Sequence, residues 1–153
     1  MIPRRFVKTF STPRCFGGTS ARATPSCANV HPTPTKLWPP NHTFRLVKLV
    51  GAKDPEGDRL RFKITKVTQD EPRKGVAGRG DRAPDARRVA GHPNWIKLRA
   101  ERDPDGNGRV YRIHYIVFDG EGGKCSGVEK VRVPRRRGGN AIDSGRVVNS
   151  LRR

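Results

Sequence analysis

The chain has 153 residues, with 33 lysines and arginines against 14 aspartates and glutamates, which gives a formal net charge of +19. No stretch approaches the roughly 18 consecutive apolar residues that a membrane-spanning helix needs, so we predict no membrane span. The 17 glycines and 13 prolines scattered through the chain argue against a helical bundle, and alternating apolar runs near the middle argue against a wholly disordered chain.

Both ends of the chain are basic and lack periodic apolar residues. The leader, residues 1–24, has no acidic residue, and the tail, residues 138–153, is rich in arginine and glycine. Such segments bury too little apolar surface to offset the entropy lost on ordering. We therefore predict a disordered leader, a folded domain over residues 25–137 and a disordered tail. The leader has no apolar run of the kind that a signal peptide contains.

The central residues predict strands and no helix. Five segments show strand-like patterns, in which apolar side chains alternate with basic ones or occupy both faces: 43–50, 60–67, 95–101, 110–118 and 128–133. A long polar loop, residues 69–94, separates the second segment from the third. About five to seven short strands joined by Gly- and Pro-containing turns are typical of an all-β, immunoglobulin-like antiparallel β-sandwich.

The alternation also predicts which side chains face the core. We expect ten apolar side chains to share one core between two sheets: Leu60, Phe62, Ile64, Ile96, Leu98, Ala100, Tyr111, Ile113, Tyr115 and Val117. The same alternation places the charged side chains of Lys97, Arg99 and Glu101 on the outside.

Acidic turns lie between the strands. Ca²⁺ takes six to eight oxygen ligands, and clustered carboxylates in glycine-bearing turns supply them. We predict that a calcium site would use Asp54, Asp58 and Asp119, with Glu56 and Glu121 in reserve, because two such turns meet at one end of a sandwich. The alternative is that Asp and Gly are present only because they favour turns.

A basic tract, Arg135-Arg136-Arg137, follows the last strand. Basic segments bind polyanions through the release of counterions, so this tract is a candidate polyanion-binding site. The alternative is a solvated tail. The sequence shows no platform in which basic and aromatic residues alternate, as in proteins that bind single-stranded nucleic acid. It also shows no catalytic constellation, and we predict no enzymatic activity.

An ordered series of short motifs covers most of the chain. Its first half contains Leu37-Trp38-Pro39-Pro40-Asn41-His42, Asp54-Pro55-Glu56-Gly57-Asp58, Gln69-Asp70-Glu71-Pro72 and Ala83-Pro84-Asp85-Ala86. Its second half contains Leu98-Arg99-Ala100-Glu101-Arg102, Gly106-Asn107-Gly108-Arg109-Val110-Tyr111 and Asp119-Gly120-Glu121-Gly122-Gly123-Lys124-Cys125. The series resembles bacterial extracellular immunoglobulin-like modules that carry LWPPNH and LRAER…GRVY signatures. These modules are similar in character to HYR, PKD and cadherin-like repeats.

The resemblance implies a structural or cell-adhesion module of a secreted or cell-surface protein. Its partners would be other extracellular modules or surface glycans and proteins. It also implies a disulfide between Cys27 and Cys125, which leaves Cys15 unpaired or bonded to another molecule. The alternative for the cysteines is three free thiols in a reducing cytosol. Since this chain is more basic than such modules usually are, the alternative function is a nucleic-acid- or polyanion-binding protein.

Overall fold

The computed structural model describes residues 22–72 and 83–152, which form eight β-strands and no helix. The strands are β1 (His31–Thr33), β2 (Phe44–Val50), β3 (Arg61–Gln69), β4 (Ala86–Arg88), β5 (Trp95–Arg99), β6 (Arg109–Phe118), β7 (Lys124–Val133) and β8 (Val148–Asn149). They build two four-stranded sheets with antiparallel neighbours, ordered β1-β2-β5-β4 and β7-β6-β3-β8. The predicted all-β antiparallel sandwich is confirmed. The described part of the chain contains no helix long and apolar enough to cross a membrane.

One apolar core lies between the two sheets. All ten side chains predicted to face it do so, with Leu60 and Phe62 half-buried at its edge. A bulge between Ile64 and Lys66 in β3 restores the inward direction of Val67. In β2 the inward pair is Val47 and Leu49, whereas Phe44 and Leu46 of the same strand lie on the outer face. The apolar residues on both faces of β2 thus reflect no bulge, since Leu46 and Val50 are simply exposed on the outer face.

The tail follows a defined path, in contrast to the disorder predicted for residues 138–153. Its strand β8 pairs with the end of β3, where Val148 lies opposite Gln69. Ala141 and Ser150 are buried, and the carbonyl of Ser150 accepts hydrogen bonds from the amides of Asp85 and Ala86. The contacts are mostly polar and intermittent, so the tail shows no apolar period that sequence analysis could detect. The predicted leader lies outside the described residues, except for residues 22–24.

Asp143 fixes the middle of the tail to the outer face of the second sheet. Its carboxylate accepts two hydrogen bonds from the guanidinium of Arg112 and lies 3.0 Å from Nζ of Lys130. Burial alone would raise the pKa of Asp143. The hydrogen bonds from the Gly145 amide, from Lys130 and from Arg112 outweigh burial and lower this pKa to about 2.

Substituting Asp143→Asn should lower the free energy of unfolding by about 1 kcal/mol at neutral pH, because two partly exposed basic partners lose their counterion. Since the folded-state pKa lies below the ordinary carboxyl value, the original protein should lose this stabilisation as the pH falls from about 4 to 2. Thermal melting at pH 7 and pH 3 measures both effects. Asp105→Asn, at an exposed turn, is the control. Equal melting of the Asp143→Asn variant and the original protein at pH 7 would contradict the anchoring role.

Candidate functional site

The disulfide links the segment before β1 to the start of β7. The sulfurs of Cys27 and Cys125 are bonded, and the Cα atoms lie 5.8 Å apart. The predicted pairing is therefore confirmed, while Cys15 lies outside the described residues. The bridge closes a loop across 98 positions of sequence and joins the entry of the domain to its last long strand.

The turn between β2 and β3 gathers three carboxylates. Asp54, Glu56 and Asp58 each offer an oxygen within 4.8 Å of the others. One carboxylate oxygen of Asp54 accepts hydrogen bonds from the amides of Glu56 and Asp58, at 2.8 and 3.3 Å. Its other oxygen is buried and has no hydrogen-bond partner among the described residues. This turn brings together two of the three predicted calcium ligands and one of the two reserves.

Asp119 lies in the neighbouring turn and does not join this group. One oxygen of its buried carboxylate accepts hydrogen bonds from the amides of Glu121 and Gly123, at 2.7 and 2.9 Å. The two turns share one end of the sandwich, because Arg61 at the start of β3 pairs with Phe118 at the end of β6. In the described residues, the three-carboxylate group forms without Asp119 and Glu121.

The leader residues next to the domain contact both turns. The amide of Ala23 lies 3.4 Å from a carboxylate oxygen of Glu56, and the guanidinium of Arg22 pairs with Glu121 at 2.5 Å. The same segment continues into Ser26, which forms a bridge with Lys53 beside the first turn. The two acidic turns are thus spanned by a single stretch of chain.

The densest set of charges is buried at the other end of the sandwich, around Arg109. The guanidinium of Arg109 is 1% exposed. Its Nε lies 2.9 Å from Glu71, its Nη1 lies 3.2 Å from Asp85, and its Nη2 lies 3.7 Å from Glu101. Arg99 lies beside the same acids, 3.8 Å from Asp85 and 3.9 Å from Glu101. We call these five residues the Arg109 cluster.

Burial dominates the acid–base behaviour of the Arg109 cluster. It raises the pKa of Glu71 and of Asp85 above the ordinary values, although the charge of Arg109 acts in the opposite direction. Glu71 and Asp85 flank the polar loop that separates β3 from β4, and Gln69 donates a hydrogen bond to Asp85 at 2.6 Å. The cluster therefore ties both ends of this loop to the sandwich.

The sequence pattern does not reveal the Arg109 cluster. The alternation predicted that Arg99 and Glu101 face outward, but both are buried. Arg99 does lie on the outer face of its sheet, where His42, Pro84 and Phe44 cover it. The sequence did contain one sign of the Arg109 cluster, because each of its five members belongs to one of the short motifs of the ordered series. A charged residue at the start of an apolar strand, such as Arg109, requires a buried counterion.

The outer face of the second sheet is strongly basic. The strand register and the alternating burial show which side chains of β3, β6 and β7 point away from the core. We call the surface that these outward side chains form the long-strand face. Its seven basic side chains are Arg61, Lys63, Lys66, Arg112, Lys124, Lys130 and Arg132. The same strands place no aspartate or glutamate on this face. Within residues 22–72 and 83–152, the one carboxylate that pairs with these bases is that of Asp143 in the tail, at the Arg112 end.

The outer face of the first sheet alternates basic and aromatic side chains, a platform that was not apparent in the sequence. The ring of Phe44 lies between the guanidinium groups of Arg87 and Arg99, at 4.5 and 4.3 Å. Nζ of Lys48 lies 4.3 Å from the ring of Trp95, on which the ring of His92 also stacks. These residues are far apart in sequence, and the β2–β5 and β4–β5 pairings bring them together.

The predicted tract Arg135-Arg136-Arg137 is exposed and follows β7 after Pro134. The carbonyl of Arg135 accepts a hydrogen bond from Arg102, and that of Arg136 accepts one from the Gly139 amide. The backbone of the tract is therefore held at two points, while its side chains extend into solvent.

Comparisons of the chain with protein-family models, with curated proteins and with solved structures found no match.

Proposed function

We propose that the chain is a non-enzymatic, immunoglobulin-like structural or adhesion module of a secreted or cell-surface bacterial protein. The observation that carries this proposal is the Cys27–Cys125 disulfide, which joins the segment before β1 to the start of β7. Disulfides persist in oxidising compartments and are rare in a reducing cytosol. A disulfide-bonded sandwich whose loops, in the part of the chain that the structure describes, carry no catalytic constellation matches the role of a spacer or contact module.

The burial of the Arg109 cluster also supports a non-enzymatic role. A catalytic carboxylate must reach its substrate, either directly or through one water molecule. Glu71, Asp85 and Glu101 instead expose at most 9% of their side chains and surround a buried guanidinium. Their arrangement suits a structural ionic network.

The compartment is tested by labelling in a bacterium that expresses the gene with its native upstream sequence. A membrane-impermeant biotinylation reagent marks surface lysines, and thiol alkylation before reduction reports whether Cys27 and Cys125 are bonded. We expect surface labelling and no alkylation at these two positions. A protein that resists labelling and whose two thiols are alkylated would contradict the proposal.

The second candidate function is polyanion binding, with nucleic acid among the ligands. It is favoured by the seven basic side chains on the long-strand face, together with the exposed Arg135, Arg136 and Arg137. Such binding would weaken steeply as the salt concentration rises. An extracellular module can also bind a polyanion, so the two candidate functions are compatible.

We also propose that calcium stabilises the module through Asp54, Glu56 and Asp58. Extracellular calcium sites bind in the 0.1–1 mM range, so about 1 mM Ca²⁺ should stabilise the fold by roughly 0.5–1.5 kcal/mol. Thermal melting with Ca²⁺ and with a chelator measures the effect. The substitution Asp54→Asn should abolish it.

Two further measurements test whether the effect is specific to the three-carboxylate group and to Ca²⁺. Asp119→Asn should retain most of the calcium response, because Asp119 lies outside the three-carboxylate group. Mg²⁺ at the same concentration should shift the melting temperature less, since it demands a more rigid octahedral site. Identical melting with Ca²⁺ and with chelator would rule out this proposal.

A further inference from the structure

We propose that the long-strand face binds a linear anionic polysaccharide, with the negative groups of the polymer lying along the basic row of β3. This row is Arg61, Lys63 and Lys66, and on the other side of β6 the outward residues of β7 are Lys124, Ser126 and Val128. This inference rests on the extracellular location proposed above, and it adds a site and a class of ligand.

The register lays out a shallow track along β6. Between β3 and β7, the outward side chains of β6 are those of His114, Ile116 and Phe118, all half-buried. Neighbouring strands lie about 4.8 Å apart, so β3 and β7 are roughly 10 Å apart across this stripe. An extended polymer could therefore lie on the stripe with its anionic groups directed to the β3 row and, at one end, to Lys124.

The basic side chains at this end of the face are uncompensated. Among the described residues, Arg61, Lys63, Lys66 and Lys124 form neither an ion pair nor a side-chain hydrogen bond. The pKa of His114 is lowered, first by burial and then by the charges of Lys66 and Arg112, so its ring adds no charge at neutral pH. The face thus presents a fixed positive field to an anionic ligand.

The tail shows how this face binds an anion. The carboxylate of Asp143 lies on the same face, held by a two-pronged contact with Arg112 and by Lys130. Paired guanidinium and ammonium groups recognise carboxylate, sulfate and phosphate in the same way. The tail covers only the Arg112 end, where Thr68 is buried, and the Arg61 and Lys63 end stays exposed.

The aromatic groups favour a polysaccharide over a single-stranded nucleic acid. Base recognition relies on open aromatic faces for stacking. Phe118 is the one phenylalanine, tyrosine or tryptophan among the outward side chains of the long-strand face. On the opposite face, basic groups or His92 already lie against Phe44 and Trp95. The long-strand face therefore offers charge and an aliphatic surface and little stacking.

Binding of the disulfide-bonded full chain to labelled dextran sulfate, a linear sulfated polysaccharide, tests the proposal. Polygalacturonate tests carboxylate groups, and neutral dextran is the uncharged control. The triple variant Arg61→Gln/Lys63→Gln/Lys66→Gln should lose roughly tenfold to hundredfold in affinity for dextran sulfate. The slope of log affinity against log salt should fall by about three, one for each basic group removed.

A variant of equal charge change serves as the control. Arg45→Gln/Arg87→Gln/Lys97→Gln alters exposed bases of the first sheet. It should stay within about threefold of the original affinity, and both variants should still melt cooperatively. The proposal is overturned if this control loses as much affinity as the β3 variant, or if the chain binds no polysaccharide. It is also overturned if an oligonucleotide of equal charge binds more tightly. The labelling experiment in bacteria decides the extracellular location independently.

Discussion

Replacing both Cys27 and Cys125 by serine is expected to lower the free energy of unfolding by about 4–5 kcal/mol. The bridge spans 98 positions, and the entropy that a crosslink removes from the unfolded chain grows with the length of the loop. Domains of this size have a total stability of about 5–15 kcal/mol. The variant should therefore be partly unfolded near physiological temperature.

Urea unfolding of the original and doubly substituted proteins, followed by tryptophan fluorescence, measures this loss. Reduction of the original protein should reproduce it, whereas Cys15→Ser should have no effect. A change below about 1 kcal/mol would show that the two ends of the domain stay together without the crosslink.

Replacing Arg109 by methionine is expected to cost about 3–5 kcal/mol, because it leaves buried carboxylates without their counterion. Methionine keeps much of the volume of the arginine stem, so the lost stability reflects the missing charge more than the missing packing. Arg59→Met is the matched control. Arg59 is exposed and forms no ion pair in the described part of the chain, and its substitution should change stability by less than about 0.5 kcal/mol.

The pH dependence separates lost charge pairing from lost packing. Without Arg109, burial raises the pKa of Glu71 and Asp85 further, so the folded state binds protons more tightly than the unfolded state. Stability then increases as the pH falls from 7 towards 5. The difference in the free energy of unfolding between the Arg109→Met variant and the original protein should therefore become smaller over this range. A difference that stays constant would indicate that Arg109 acts through packing alone.

The core could be predicted from the sequence because its signal is local. The alternation in β3, β5 and β6 depends only on the two-residue period of a strand, and every side chain that it placed in the core is there. The tail could not be predicted in this way. Asp143 and β8 are held by polar contacts to residues more than thirty positions away, such as Arg112.

The candidate sites also divide into those that local sequence patterns predict and those that depend on contacts between distant residues. The disulfide and the Asp54 turn were predicted because they rest on motifs and on turn chemistry. The Arg109 cluster and both basic faces arise from strand register, which places residues such as Lys63 and Lys124 on one surface. Whether Arg99 faces solvent or a carboxylate depends on a neighbouring strand and a distant loop, and the residues around it in sequence do not contain that information.

The Cys27–Cys125 bridge also determines how the domain transmits mechanical tension. A force pulling on the two ends of the chain enters before β1, crosses the sulfur–sulfur bond and passes into β7 at Cys125, the second residue of that strand. Strands β1 to β6 lie inside the closed loop and carry no tension along the backbone. About 330 Å of extended chain stays stored behind the bridge until it is reduced. If the module lies at a cell surface, as we propose, shear would extend only the chain outside the bridge until the disulfide is reduced.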